Sequence, residues 1–232
     1  MKSLTKQAMW FAAVLMGVVA ATLTSTSAAF PKTQDSDELS GEWWQWALSI
    51  PETDNPLTDL TGEKCMVGQR GDDWFLAGTF GASSATRACS IPEHTTLFFP
   101  VINYIGFDTP NACGQDSPLP SSFYRAQAAD FINGAVNLSV RVDGKPVKQL
   151  HRVRSEVFAL ALPEDNLFNG PSICDGTLPA GIYSPAIDDG YYVRLNPLAV
   201  GHHTLQIHAE NPSASFVLDV TYNLTVVRVV DK

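Results

Sequence analysis

Two short stretches hold the side chains best suited to ligand contact or catalysis. In GEWWQWALSIP, Gly41 to Pro51, Glu42 and Gln45 are interleaved with Trp43, Trp44 and Trp46. In TLFFPVINYIGFD an apolar strand is expected to end at Asn103, followed by Tyr104 and then by Asp108 in a loop. An amide, a phenol and a carboxylate at the end of a rigid strand are the usual makings of a small-ligand site. Brought together, Glu42, Trp44, Gln45, Asn103, Tyr104 and Asp108 would form a cleft with an aromatic wall and converging hydrogen-bonding groups. Such a cleft suits a neutral glycan or small polar ligand, because Trp and Tyr faces cover apolar sugar faces while amides and carboxylates take the hydroxyls. As neighbours in it, Glu42 and Asp108 would raise each other's proton affinity.

Two other readings compete with ligand binding. One is an enzyme acting on a polysaccharide. A glycosidase needs two carboxylates about 5–10 Å apart, and Glu42 with Asp108 is the pair to examine. A lyase needs a Tyr or His base and an Arg facing a uronate, with Arg87, His94, Tyr191, Tyr192 and Arg194 as candidates. The other is a structural envelope protein without a small ligand. No catalytic residue can be assigned. Phosphate loops, GxSxG, HExxH and EF-hand patterns are absent, so no cofactor is expected. In GHHTLQIHAE, alternation sends His203 inward beside Leu205 and Ile207 as a hydrogen-bonded core imidazole. His202 and His208 lie near 20 Å apart along an extended strand and cannot share a metal, so no metal site is expected. Asp188 and Asp189 in DDGYYVRL read as an ordinary Asp-Gly turn before a strand.

The elements that must position these groups are mostly strands. SFVLDVTYNLTVVRVV sends Phe216, Leu218, Val220, Tyr222, Leu224 and Val226 to one face and Asp219, Thr221, Asn223 and Thr225 to the other. That alternation marks a strand with one buried and one solvated side. AVNLSVRVDGKPVKQL reads as a hairpin turning at Asp143-Gly144, and HRVRSEVFALAL as a third strand continuing it. The expected fold is mainly β, an antiparallel β-sandwich (Ig-like or jelly-roll-like) with one or two packed helices. SSFYRAQAADFING gives one helix, with a serine cap and Gly134 as its stop. The tryptophan stretch gives the other: at 100° per residue its apolar side chains sweep about 200°. Glu38, Glu42, Gln45 and Ser49 share the remaining side, so Trp43 and Trp46 are core anchors while Trp44 bridges core and rim.

Residues 1–29 read as a secretory signal: Lys2 and Lys6, an apolar run from Ala8 to Leu23, then Ser27 and Ala29 before a cut at Phe30. Residues 30–232 then form a single disulfide-stapled domain that is exported, periplasmic or extracellular, with no integral membrane span. With Lys2 and Lys6 gone, 13 basic and 24 acidic residues leave a net charge of −11, which argues against nucleic acid as a partner. The oligomeric state is not legible. Cys65, Cys89, Cys113 and Cys174 all fall in the exported part and lack the CxxC spacing of zinc sites, so disulfides are expected. Of the three connectivities, Cys65–Cys89 with Cys113–Cys174 is favoured, because the last two sit in turn-rich stretches that need a staple.

The combination of WWQWALSIP, WFLAGTFG, CSIP with LFFPVIN, GYYVRLNPL, GHHTL and LDVTYNLTV resembles a group of uncharacterised exported bacterial proteins. The likeness runs over nearly all of residues 30–232. It implies a single exported domain and carries no catalytic residues with it.

Overall fold

The computed structural model describes residues 36–169 and 177–229. Its opening element is α1, Ser36–Ser49, where the sequence places the tryptophan helix. Strands β1 (Asp73–Phe75), β2 (Ser84–Pro92) and β3 (Thr96–Phe107) precede α2 (Ser121–Asn133). After it come β4 (Val136–Val142), β5 (Lys145–Pro146), β6 (His151–Arg154), β7 (Phe158–Leu162), β8 (Gly181–Leu195), β9 (Gly201–Asn211) and β10 (Phe216–Val227). One sheet runs β1-β3-β8-β6 with β7 also on β8, and the second runs β2-β10-β9-β4-β5.

This is the expected mainly β sandwich with two helices, built as layers. One face of the β3–β8 sheet packs Leu97, Phe99, Val101 and Val193 against Leu205, Ile207, Val220 and Leu224 of the second sheet. Farther along β3 and β8, that same face is covered by α2 through Tyr124, Ala128 and Ile187. The opposite face carries Phe98, Ala186 and Tyr192 and is covered by α1 through Leu39, Trp43 and Trp44. Residues 186–190 of β8 are therefore buried on both sides.

Several elements depart from the sequence reading. The sandwich is not wholly antiparallel: β1 runs parallel to β3, and β10 runs parallel to β2 over nine residue pairs. Parallel neighbours need no hairpin turn, so no local sequence signal announces them. The hairpin at Asp143-Gly144 forms, with positive φ at both residues, but its second arm is only Lys145–Pro146. HRVRSEVFALAL crosses to the other sheet and splits into β6 and β7, both paired with β8. Helix α2 is preceded by Pro120 as its N-cap, with no side-chain cap bond, so its serines begin the helix rather than cap it. Gly134 sits at an ordinary helical φ of −81°; glycine is needed there because a Cβ would lie 2.7 Å from Asn211 Oδ1.

Cys65 and Cys89 form the expected disulfide, which staples the segment after α1 to β2. Cys113 is also disulfide-bonded, while Cys174 lies outside the described residues. The Cys65–Cys89 bridge spans 24 positions, for which loop-closure entropy gives about 3 kcal/mol. The Cys65→Ser/Cys89→Ser double variant should lose about that much in a urea titration. An unchanged midpoint would show that the unfolded chain is not constrained by this loop.

Candidate functional site

The polar stripe of α1 lies where the helical wheel puts it. Glu38, Gln45 and Ser49 are exposed and Glu42 is half-buried, whereas Trp43, Trp44 and Trp46 are all buried. Each indole N–H is spent inside the protein. Trp43 Nε1 donates to Leu76 O at 3.0 Å, Trp46 Nε1 to Val67 O at 2.9 Å and Trp44 Nε1 to Asp188 Oδ1 at 2.7 Å. Trp44 is thus a core residue with 8% exposure and not the open platform that a stacking surface requires.

Glu42 and Gln45 border a cleft of about 560 Å³ between α1, the 68–73 loop and β7. Its apolar floor is Trp46 and Phe75, whose rings lie 5.6 Å apart. Arg70, Asp72 and Asp73 line its far side, and Asp73 is held by a two-pronged ion pair with Arg194. Gln45 Nε2 donates to Ala159 O at 3.0 Å, which fixes the amide with its oxygen unused among the described residues.

The other expected site residues do not join that cleft. Trp44 and Asn103 border a separate, smaller pocket of about 250 Å³ at the open edge of β3. Tyr104 belongs to β3, not to a loop, and packs on Phe131 of α2 at 5.3 Å. Asp108 follows the strand by one residue, and its Oδ1 accepts from Gln115 Nε2 at 2.6 Å, Leu119 N at 2.9 Å and Tyr124 OH at 2.8 Å. Burial pushes the Asp108 carboxyl up, but these donors outweigh it and hold the group below the usual range. That is opposite to the rise expected for a carboxylate pair with Glu42. Burial raises the Tyr124 phenol in turn, and its bond to the Asp108 carboxylate raises it further. Asp108 thus ties the end of β3 to α2, while Glu42 stands on α1.

The lyase candidates are equally dispersed. Arg87 is wholly buried on the inner face of β2. His94 is exposed on a turn beside Glu93. Tyr192 is stacked on Phe98 at 5.2 Å and buried, whereas Tyr191 points to the other face of β8 and Arg194 is tied to Asp73. His203 is half-buried and hydrogen-bonded, to Asp143 Oδ2 and Ala199 O, both at 2.8 Å.

Two buried constellations were missed in the sequence. The first is centred on Asp188, which is a mid-strand residue and not part of a turn. Its Oδ1 accepts from Trp44 Nε1 and from Tyr192 OH at 2.9 Å, and Tyr192 OH accepts from Asn103 Nδ2 at 3.0 Å. Asp188 Oδ2 is buried with no hydrogen-bond partner among the described residues. Burial pushes this carboxyl up to about 7, against the pull of Trp44 and Tyr192. Asp189 points to the opposite face and pairs with Arg152, both contacts at 2.8 Å, and with Arg154 at 3.2 Å. Gly190 follows because a Cβ there would lie 2.6 Å from Asn103 Cβ. The second is Arg87. It donates to Asp59 O at 2.7 Å, Ala77 O at 2.6 Å, Gly78 O at 2.7 Å and Tyr222 OH at 2.7 Å. Alternation within SATRACSIP, which puts Arg87 in line with Ala85, Cys89 and Ile91, was the available signal.

No family model matches the chain, and no curated protein or solved structure matches it either.

Proposed function

We propose that this is an exported binding protein for a neutral, polyhydroxylated ligand of glycan type, held in the cleft beside α1. The observation that carries the reading is the pairing of Glu42 and Gln45 with an apolar floor of Trp46 and Phe75 in a cleft of about 560 Å³. That volume lies within the range usual for ligand sites, roughly 300–1,000 Å³. The Gln45 amide, held by Ala159 O, offers its oxygen and its second N–H to a hydroxyl, beside the Glu42 carboxylate on the same helix face. Arg70 and Asp72 offer the same from the opposite wall. The carboxylates of the cleft outnumber its one arginine, which disfavours an anionic sugar.

The compartment fits this reading. A disulfide at Cys65–Cys89 points to an oxidising environment, and none of the helices among the described residues is long and apolar enough to cross a membrane. The N-terminal signal pattern agrees with export. The test is a neutral-glycan array followed by calorimetry on any glycan retained. Glu42→Gln and Gln45→Ala, each first shown by circular dichroism to keep the parent fold, should each weaken that glycan about fivefold to tenfold. An array without a hit, or variants that bind as tightly as the parent, would sink the reading.

A further inference from the structure

We infer that the protein has a second binding site, for a compact, single-ring aromatic molecule carrying one hydroxyl, at the open edge of β3. This pocket of about 250 Å³ lies on the other side of α1's tryptophan row from the glycan cleft and shares none of its lining residues. Its position follows from the topology. Strand β1 pairs with β3 only over Thr96 to Phe98, so the β3 edge beyond has no strand neighbour among the described residues. The β3–β8 ladder shifts register between Pro100 and Ile102 at this same level, and bulges commonly re-aim side chains beside sites. The space left between β3, α1 and the start of β10 is the pocket.

The lining specifies the ligand. Phe80 and Phe216 are the partly exposed aromatic side chains of its wall, the buried Trp43 and Trp44 lie behind it, and Leu57 and Leu218 complete the lining. Aromatic walls favour an aromatic guest through edge-to-face and offset contacts. The volume is below that of drug-sized sites, which limits the guest to about one ring with a small substituent. Asn103 is the one side-chain amide in the wall. Its Nδ2 donates one bond, to Tyr192 OH, so the amide plane is fixed from behind by the Tyr192–Asp188 pair. Its Oδ1 and second N–H have no partner among the described residues. That amide can accept from and donate to one hydroxyl, and the only other polar side chain on the wall is the half-buried Thr79, whose hydroxyl already donates to Ala82 O.

The pocket is also held open in advance. Its rim, from Gly78 to Gly81, is anchored by Arg87 on Ala77 O and Gly78 O, and by Phe80 N on Leu57 O at 3.0 Å. A rim fixed in this way does not have to be ordered when a ligand enters.

The experiment uses the intact chain with phenol as probe and toluene as the near-isosteric control without a hydroxyl. Binding is followed by indole N–H chemical shifts, so the occupied site is identified in the unmodified protein. Phenol should shift the Trp43 and Trp44 indoles with a Kd of about 1 mM or tighter, and toluene should bind about tenfold more weakly. Asn103→Ala should remove that preference, and Gly78→Leu, whose side chain would extend toward Leu218, should abolish both. Absent shifts at the two indoles at 20 times that phenol concentration, or equal affinity for the two probes in the parent protein, would overturn the proposal. Either result is read without a variant, and both are independent of whether a glycan binds beside Glu42.

Discussion

Replacing Arg87 with alanine is expected to cost more than about 5 kcal/mol and to leave little folded protein at room temperature. The guanidinium is 1% exposed and is solvated by three backbone carbonyls and the Tyr222 hydroxyl. Truncation leaves Asp59 O and Gly78 O buried without their donor, at about 1–3 kcal/mol each, whereas Ala77 and the Tyr222 hydroxyl keep the bonds they make to one another; it also leaves a cavity in the sandwich. The Tyr222 ring, 5.3 Å from the guanidinium carbon, loses its cation contact too. Arg87→Lys should recover less than half of the loss, because a compact ammonium cannot reach three carbonyls spread along a planar fork. Urea unfolding followed by tryptophan fluorescence reads both variants. A lysine variant as stable as the parent would mean that charge, not fork geometry, holds the loop.

The second large effect concerns Asp188 and pH. Its folded pKa of about 7 lies above the value of 3.8 for a free side chain, so between those values the folded protein holds a proton that the unfolded chain releases. Stability from this group is therefore complete in acid and declines as pH rises, levelling off above about 7, a total on the order of 4 kcal/mol. Asp188→Asn keeps the shape and the acceptor for Trp44 and Tyr192 without the charge. The variant should be the more stable protein, and its advantage should grow by about 3 kcal/mol between pH 5 and pH 8. His203 and His208, both raised by carboxylate partners, also lose stabilisation as pH rises, but they do so equally in parent and variant. Paired urea midpoints at the two pH values isolate Asp188. A constant gap would show that the carboxylate is already solvated in the folded state.

What could be read from the sequence was periodicity. The alternation in β10 places Leu218, Val220, Tyr222, Leu224 and Val226 inside, and the stripe on α1 places Gln45 and Ser49 outside, as expected. Both signals are local, because burial of one face imposes the period of the element. What could not be read was long-range compensation. Pro185, Asp188, Asp189 and Gly190 are poor strand formers, yet they occupy the middle of β8. Arg152 neutralises Asp189, α1 covers Asp188, and Asn103 fills the space that a side chain at position 190 would need. The candidate cleft was half legible for the same reason. The face of Glu42 and Gln45 followed from helix geometry, but the distance between that face and Asn103 or Asp108 depends on how α1 crosses the sheet.

The central position of β10 has a kinetic consequence. Its nine-pair ladder with β2 and its eleven-pair ladder with β9 join a strand from early in the chain to one that precedes it directly. Until residues 216–227 emerge, β2 has no neighbour in its sheet, and Ala85, Cys89 and Ile91 have no partner strand beside them. Synthesis from the N-terminus cannot close the sandwich progressively, and the high contact order makes closure slow once the chain is complete. The second sheet, and with it the sandwich, is completed only once the last strand has been made, whereas every strand of the β3–β8 sheet is already present by then.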